Sequence, residues 1–176
     1  MKWSEIDSQT CSVARTLSVI GDRWSLLILR DIFLGTRRFE DLCKQLGVSR
    51  PALTQRLRKL EQQDVLHKRA YQDKPTRFEY HLTEKGVDLY PIIMTMAQWG
   101  DKWQGDGNGP PIEYQHKTCG HKTQAVMCCS ECDEPLNAWE VSPQIGPGLK
   151  AAMAKATNKT IEENLPRSLR PHTGTQ

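Results

Sequence analysis

Two short pairs of metal-binding side chains lie close together in the last third of the chain. His116 and Cys119 are three residues apart, and so are Cys129 and Cys132. This spacing lets each pair present two ligands on one side of a tight turn, as in zinc knuckles. The residues between the pairs suffice for one hairpin, so the two turns can face each other. The pattern predicts one structural zinc ion per chain, in a closed four-ligand site without catalytic chemistry.

Other interpretations of this cluster stay open. In a metal-free alternative, the segment is a reduced hairpin that is held in place because Trp139 packs on the last helix of a larger domain. His121 or Cys128 can also compete as ligands. A redox enzyme built on the Cys-x-x-Cys pair is disfavoured, because the carboxylates of Glu131 and Glu134 would raise the pKa of the thiols. Since the sequence has no paired general acid and base, no phosphate-binding loop and no nucleophile constellation, we expect a non-enzyme.

A further cysteine stands far from this cluster, at the expected start of a helix. Cys11 precedes a segment in which Val13, Leu17 and Ile20 recur at helical spacing, and Arg15 follows one turn later. A thiol beside a helix N-terminus and a guanidinium ionises more readily than an isolated thiol. Cys11 is therefore a candidate sensor of oxidants or electrophiles, and the alternative is an inert cysteine that serves as a small apolar group.

Helical periodicity predicts four helices before about residue 63. The second, over residues 24–34, is apolar nearly all round and is expected to be the buried central helix. The third is short and ends at Gly47. Ser49 as N-cap and Pro51 in the first turn mark the start of the fourth helix, which extends to about Gln63.

The fourth helix has one apolar face and one polar, basic face. Leu53, Leu57 and Leu60 cluster on the inner side. Two strand-like runs then flank residues 72–76 and predict a hairpin with a basic tip, and a last helix extends to Trp103. This order is that of a winged helix-turn-helix. The expected fold class is α+β and mainly helical: a winged helix-turn-helix with a two-stranded wing, plus a small C-terminal Cys/His hairpin appendage.

Charge and side-chain chemistry favour double-stranded DNA as the partner. Residues 37–77 contain 11 Lys/Arg and five Asp/Glu, a net charge of +6, whereas the rest of the chain carries −3. Gln55 and Arg58 have the side chains that read adenine and guanine in the major groove. The other candidate contacts, to bases or phosphates, are Arg37, Arg38, Arg50, Thr54, Lys59, Lys74 and Arg77. A winged helix that binds another protein instead of DNA is the alternative.

Several stretches of this region resemble one family of regulators. Residues 11–31 resemble the opening of HxlR-type transcriptional regulators, and residues 35–42 resemble the start of their third helix. Residues 53–61 are similar to their recognition helix, and residues 80–86 to the end of their wing. The first begins Cys-Ser-Val-Ala-Arg-Thr-Leu, and the third reads Leu-Thr-Gln-Arg-Leu-Arg-Lys-Leu-Glu. The resemblance covers about residues 11–103, in order and with few gaps.

The resemblance implies a homodimer in which the first and last helices form much of the interface. Met94, Trp99 and Trp103 can supply an apolar patch for it. Some HxlR-type relatives sense oxidants through a cysteine at the position of Cys11. Many longer relatives carry a ribbon-like appendage ending in Gly-Pro-Gly, as at residues 146–148 of this chain.

These observations divide the chain into four parts. Residues 11–103 form the DNA-binding and dimerisation domain, 104–115 a Gly/Pro-rich linker, 116–148 a zinc-ribbon-like appendage, and 149–176 a short helix and a disordered tail. No apolar run approaches the roughly 20 residues of a membrane span, and the N-terminus has no signal-peptide core. We therefore expect a cytoplasmic protein without a membrane partner, and the sequence indicates no particular small-molecule inducer.

Overall fold

The chain has 176 residues, of which the computed structural model describes residue 6 and residues 8–155. The expected disordered tail, residues 166–176, lies outside the described residues. The elements confirm the winged helix-turn-helix and follow in the order α1 (Ser12–Ile20), α2 (Ser25–Phe33), α3 (Phe39–Leu46), α4 (Arg50–Gln62), β1 (Leu66–Asp73), β2 (Thr76–Leu82), α5 (Glu84–Val87), α6 (Tyr90–Trp103), β3 (Tyr114–Gln115), β4 (Lys122–Thr123) and α7 (Pro147–Lys155).

The hydrophobic core is built around α2. Ile28 and Leu29 are fully buried, and α3, α4, β1, β2 and α6 all contribute side chains to the same cluster. The expectation of a buried central helix is therefore confirmed for α2, although Leu34 at its C-terminal end is 47% exposed. The three leucines of α4 are the largest contribution from a single partner helix, because they repeat at a spacing that keeps them on one face. Burial of α4 through these leucines leaves its opposite face to solvent.

A tight turn separates α3 from α4. Gly47 ends α3 with a backbone φ of 61°, in the left-handed region that glycine adopts without a steric penalty. Ser49 then takes an extended conformation as the N-cap of α4, and Pro51 stands in the first turn, where its missing N–H has no partner to lose. The turn thus fixes α4 at an angle to α3, which is the helix-turn-helix arrangement.

The wing is an antiparallel pair, β1 and β2, with a register from Leu66 opposite Leu82 to Asp73 opposite Thr76. A bulge interrupts the register at Tyr71. The strands extend further than expected, so that the tip is the two-residue turn at 74–75 instead of the whole segment 72–76. Backbone pairing continues to the end of the hairpin because the bulge restores the alignment of the two strands.

The sequence predicts one last helix that extends to Trp103, but the structure has two helices there, α5 and α6. Thr83 caps α5 by accepting the N–H of Gly86 at 3.1 Å, and α6 begins at Tyr90. The break follows from Pro91, which lacks the N–H that would bond to the Val87 carbonyl in a continuous helix. Gly86 is required here, because a Cβ atom would lie 2.2 Å from the Val65 carbonyl oxygen.

The outer face of α6 is apolar and uncovered. Trp99 and Trp103 are 59% and 62% exposed, but Met94 is buried, so its expected place in this patch is wrong. At 100° per residue, Met94 lies about 140° away from Trp99, whereas Met96 lies about 60° away. Met96 is half exposed and completes the patch instead.

The expected linker ends earlier than residue 115, because Tyr114 and Gln115 already form strand β3. The segment from Tyr114 onward contains two short hydrogen-bonded turns and no buried hydrophobic side chain among its described residues. Strands β3 and β4 pair on either side of the first turn, and Cys128 pairs with Pro135 across the second. The alternative in which Trp139 packs on the last helix is wrong, since Trp139 is 98% exposed. Backbone hydrogen bonds therefore hold this segment, since no apolar core is present in it. None of the helices in the described part of the chain is both long and apolar enough to cross a membrane.

Candidate nucleic-acid interface

The outer face of α4 is the centre of the candidate interface. Gln55 and Arg58 are exposed on it, and Thr54 and Lys59 are half-buried at its edges. The hydroxyl of Thr54 donates a hydrogen bond to the Arg50 carbonyl at 2.8 Å. In this conformation Thr54 offers only an acceptor to a ligand, and Gln55 and Arg58 are the free donors at the centre of the face.

Arg56 of α4 does not lie on the outer face of the helix and is directed toward the start of α2. Arg56 is half-buried, and its Nε atom lies 3.3 Å from Oδ1 of Asp22. Asp22 lies two residues before the N-cap of α2, Trp24. It accepts the N–H groups of Trp24 and Ser25, both at 3.0 Å, and the Ser25 hydroxyl at 2.6 Å. Burial raises the pKa of Asp22, but these hydrogen bonds and the charge of Arg56 outweigh it and lower the pKa overall. Arg56 therefore joins α4 to the start of α2 and does not belong to the interface.

The tip of the wing carries two of the expected phosphate contacts. Lys74 in the turn and Arg77 at the start of β2 are both exposed. Their position at the end of the hairpin lets them extend beyond the body of the domain. This is the geometry by which a wing reaches the backbone or minor groove next to a major-groove helix.

The segment before α3 is fixed to the wing. The Arg37 carbonyl accepts the N–H of Tyr80 at 2.9 Å, and Arg38 forms a backbone bridge with Glu79. The Arg38 side chain repeats this link, with Nε 3.1 Å from Glu79 Oε1 and the guanidinium carbon 4.4 Å from the centre of the Tyr71 ring. Arg37 and Arg38 thus lie beside the wing although they precede it by about 40 residues.

The first residue of α4 forms an ion pair with α3. Arg50 binds Glu40 through two hydrogen bonds of 2.5 and 2.7 Å, and its guanidinium carbon lies 5.2 Å from the centre of the Phe39 ring. The hydrogen bond from Arg50 lowers the pKa of Glu40 against a small opposing effect of burial, and the charge of Arg77 adds to the lowering. Glu40 therefore lies within electrostatic reach of cations on both α4 and the wing.

The nine expected DNA-contacting side chains lie on α4, the wing and the segment before α3. Phe39 lines both the cleft along α4 and the cleft beside the wing, so these surfaces adjoin, and eight of the nine side chains keep polar groups that a ligand can reach. Glu40 is bonded to Arg50 of α4 and lines one cleft together with Arg77 of the wing, and Glu79 of the wing pairs with Arg38 of the segment before α3. Thr54 is the exception, because its hydroxyl hydrogen is used within α4. Neither glutamate nor the ring of Tyr71 was predicted from the sequence as part of this surface. Their partners are 10 to 41 residues away and on other elements, so helical or strand periodicity gives no signal for them.

Cys11 occupies the N-cap position of α1 and is exposed. Arg15 lies one turn later, as expected, but its guanidinium Nη2 lies 3.3 Å from the Ser12 hydroxyl. Cys43 is half-buried against the core, and burial raises the pKa of its thiol. The two cysteines of the winged domain thus differ in access, and only Cys11 is open to a reagent in solution.

The first Cys/His pair lies in a tight turn. His116 Nδ1 is 3.3 Å from Cys119 Sγ, and the N–H of Gly120 donates to the His116 carbonyl at 2.8 Å. Gly120 has a φ of 72°, which lets the chain reverse direction immediately after Cys119. His116 and Cys119 are therefore oriented toward the same point.

The second pair lies in a similar turn. The N–H of Asp133 donates to the Cys129 carbonyl at 3.0 Å, and the N–H of Cys129 donates to the Glu134 carbonyl at 2.9 Å. The pKa of Cys129 is lowered by the backbone N–H groups of Glu131 and Cys132 and by the Cys132 thiol. The expectation that nearby carboxylates would raise this thiol's pKa is wrong, because N–H groups at hydrogen-bonding distance stabilise the thiolate more strongly than exposed carboxylates destabilise it.

The donor chemistry of the two turns suits zinc, but their positions do not form a complete site. In the described residues, no three histidine, cysteine or acidic side chains gather closely enough to hold a metal ion. Each turn is therefore a half-site with two ligands, and a four-ligand site requires the two turns to approach each other. Zinc at His116, Cys119, Cys129 and Cys132 stays a prediction.

A polar helix that follows a tight turn, with a wing beside it, defines a winged helix-turn-helix regulator. The chain belongs to the HxlR-like helix-turn-helix family, whose sequence profile matches residues 19–108. It is similar to the HTH-type transcriptional regulator Rv3095 of Mycobacterium tuberculosis, with 43% identity over 145 residues that cover 82% of this chain and 92% of the relative. YdeP of Bacillus subtilis, named as the same kind of regulator, is 36% identical over 58% of this chain and 80% of its own length.

Solved structures share the fold. The crystal structure of PA1607, a candidate transcription factor, superposes with a TM-score of 0.69 and 32% identity, and the match covers 77% of this chain and 94% of that one. The redox regulator HypR in its reduced form superposes with a TM-score of 0.50 and 33% identity over 52% of this chain and 92% of its own. The family and its relatives are regulators, and the chain is accordingly a transcriptional regulator and not an enzyme.

Proposed function

We propose that this regulator binds a specific DNA operator as a homodimer, with α4 of each subunit in the major groove. The observation that supports this proposal most strongly is the single connected surface formed by the outer face of α4, the wing tip and the Arg37–Arg38 segment. Gln55 and Arg58 lie at its centre, where base edges are reached, and Lys74 and Arg77 lie at its margin. A base-reading centre with cationic margins is what duplex recognition requires.

The proposal of a homodimer is supported by the outer face of α6. Met96, Trp99 and Trp103 are each more than half exposed and lie on neighbouring turns. Large aromatic side chains are enriched at protein interfaces, and an uncovered patch of this kind is uncommon on a monomer. Two copies joined through α6 would present two recognition helices to two half-sites.

Selection of bound sites from a random pool of duplex DNA tests this function directly. We expect a palindromic consensus whose half-sites are about one helical turn apart, bound more tightly than a scrambled duplex at the same salt concentration. Enrichment of no sequence over the scrambled control would reject the proposal. The protein would then be better described as a winged-helix module that binds another protein.

We further propose that Cys11 makes DNA binding responsive to oxidants. Its exposed position at the start of α1 supports this, as does similarity to a structure named as a redox regulator. Hydrogen peroxide would oxidise the thiol to a sulfenic acid with release of water. A polar group formed at the N-terminus of α1 would change the surroundings of a helix that the resemblance places at the dimer interface.

A further inference from the structure

Two acidic side chains hold arginines of the candidate DNA surface in the free protein, and they differ in setting. Glu79 lies in β2 and is 23% exposed, and its contact with Arg38 continues a backbone bridge between the same two residues. Glu40 and Arg50 are 64% and 66% exposed, and no backbone contact joins them. The Glu79 pair is part of the wing, whereas the Glu40 pair is held by its side chains alone.

We propose that Glu40 is a specificity-determining residue that competes with DNA phosphates for the guanidinium of Arg50. The inference rests on the proposed DNA-binding function and concerns the same surface. Glu40 takes both donors on one edge of the guanidinium, with N–O distances of 2.5 and 2.7 Å. A phosphate would use the same bidentate geometry, so Arg50 cannot bind both at full strength.

The solvent exposure of the Glu40–Arg50 ion pair determines whether it affects the stability of the fold or the affinity for DNA. An ion pair of two solvent-exposed side chains adds little to the stability of a fold. Glu40 nonetheless lies beside two cations, because Arg50 is bonded to it and Arg77 lines the same cleft. A carboxylate among the cations of a DNA-binding surface opposes phosphate binding, and its main effect is therefore expected on DNA affinity.

The consequence differs between cognate and unrelated DNA. On a cognate site, the fixed contacts of α4 hold the duplex in one position, and Arg50 leaves Glu40 for a defined acceptor. On unrelated DNA no such position is imposed, and Arg50 remains with Glu40. Glu40 thereby removes one phosphate contact from non-specific binding, whereas it weakens cognate binding only by the small free energy needed to break an exposed ion pair.

The test compares Glu40→Gln with the unaltered protein by fluorescence anisotropy, on the selected operator and on a scrambled duplex, over a range of salt concentrations. We expect the variant to bind scrambled DNA about 3- to 10-fold more tightly than the unaltered protein does. The slope of log affinity against log salt concentration is expected to be steeper by about 0.9, the value of one extra phosphate contact. On the operator, the slope is expected to stay the same. Adding Arg50→Gln to the variant is expected to restore the original slope on scrambled DNA.

Two further variants serve as controls. Glu113→Gln removes the carboxylate of another exposed ion pair, with Lys122 at 2.7 Å, outside the candidate surface, and is expected to bind both duplexes as the unaltered protein does. Glu40→Asp keeps the negative charge and is expected to retain weak binding to scrambled DNA. Thermal unfolding of each variant shows whether the fold is intact.

The outcomes separate this inference from the function on which it rests. If the unaltered protein binds its selected operator but Glu40→Gln leaves scrambled binding and its salt slope unchanged, the competition does not exist. A loss of affinity on both duplexes would mean that Glu40 positions Arg50 for binding, which also overturns the proposal. Failure of the unaltered protein to prefer any sequence would reject the proposed function, and the role of Glu40 with it.

Discussion

Gln55 and Arg58 stand on a rigid support, because the opposite face of α4 is anchored by three buried leucines. Each side chain can make a bidentate contact, to adenine or to guanine. Replacing either by Ala is expected to weaken operator binding by about 1–3 kcal/mol and to relax the preference for one base of the selected consensus. Anisotropy titrations on the operator and on single-base variants measure both effects.

Lys150→Ala is the matched control, since Lys150 is an exposed cation on α7 outside the candidate surface. Its effect on operator affinity is expected to be small. Equal losses for Arg58→Ala on the operator and on scrambled DNA would contradict a base-reading role and would leave Arg58 as a phosphate contact.

The thiol of Cys11 is expected to react before that of Cys43. Cys11 is exposed, whereas Cys43 is half-buried and burial raises its pKa, so that less Cys43 thiolate is present at neutral pH. Brief treatment with iodoacetamide, followed by peptide mass spectrometry, measures the two rates. Peroxide is expected to change operator affinity of the unaltered protein, and Cys11→Ser is expected to abolish the response. An identical response in Cys11→Ser would remove Cys11 as the sensor.

The exposure of a side chain could be predicted from the sequence where it depends on a single helix or strand. Exposure of Gln55 and Arg58 follows from their positions relative to Leu53 and Leu57 on a single helix. The ion pair of Arg50 depends on the angle between α3 and α4, and no periodic pattern encodes that angle. The direction of the pKa shift of Cys129 was likewise hidden, because backbone N–H groups in a specific turn cause it.

At the scale of the elements, the start of α2 depends on the carboxylate of Asp22 just before it. Asp22 accepts hydrogen bonds from Trp24 and Ser25, and these bonds lower its pKa in the folded protein. Asp22→Asn keeps one oxygen acceptor but removes the carboxylate oxygen that accepts the Ser25 hydroxyl and the charge that attracts Arg56. The variant is therefore expected to reduce the free energy of unfolding at pH 7 by about 0.5–1.5 kcal/mol, the typical net contribution of one hydrogen bond, as measured by urea unfolding.

The pH dependence of this effect has a defined sign. Because the folded-state pKa of Asp22 lies below its ordinary value of 3.8, its contribution is present above pH 3.8 and is lost as the pH falls through the lowered folded-state value. The difference between Asp22→Asn and the unaltered protein is expected to shrink below pH 3.8. A difference that is constant between pH 7 and pH 3 would show that the charge of Asp22 is not responsible.

The two Cys/His turns are expected to close on one zinc ion per chain. Each turn already orients two ligands, and the segment lacks an apolar core, so that metal binding would supply its missing stability. Elemental analysis of protein purified without a histidine tag or chelators is expected to give about one zinc per chain, with loss of zinc in Cys129→Ser. A folded segment with a zinc content near zero would remove the metal site.

Prediction of the elements was accurate where helix signals are local. The start of α4 at Ser49 and Pro51 agrees with the structure, and so does the end of α3 at Gly47. The break before α6 was missed even though Pro91 marks it, because the apolar spacing continues across the break. The exposure of Trp139 was not foreseeable, since it depends on the path of the chain after the linker.

At the scale of the whole molecule, the apolar face of α6 is expected to hold two chains together. Light scattering after size exclusion is expected to give twice the chain mass of 20.1 kDa. Trp99→Glu places a charge in the centre of the patch and is expected to yield monomers with weaker operator binding. Trp139→Glu alters an equally large side chain that is 98% exposed outside α6, and is expected to remain dimeric. A monomeric unaltered protein would contradict this assembly.

The order of the elements was sufficient to predict the architecture of a single chain, because each step of the winged helix-turn-helix has its own local signal in Gly47, Ser49 and the hairpin. The assembly of subunits has no such signal. Apolar residues on α6 repeat at helical spacing whether they face a core or a second chain, and the placement of Met94 in the patch failed for that reason.

The hydrogen bond from Tyr80 to Arg37 makes the segment before α3 a partial third strand of the wing. A two-stranded hairpin alone is barely stable in water, and this added strand gives its base a stiffness that the tip lacks. Insertions at the two-residue tip, 74–75, should therefore be tolerated as new loops. A single residue inserted between Arg37 and Phe39 would shift the strand by one place and turn Arg38 to the opposite face of the sheet. Length variation that leaves the fold intact should consequently concentrate at the tip and avoid the base.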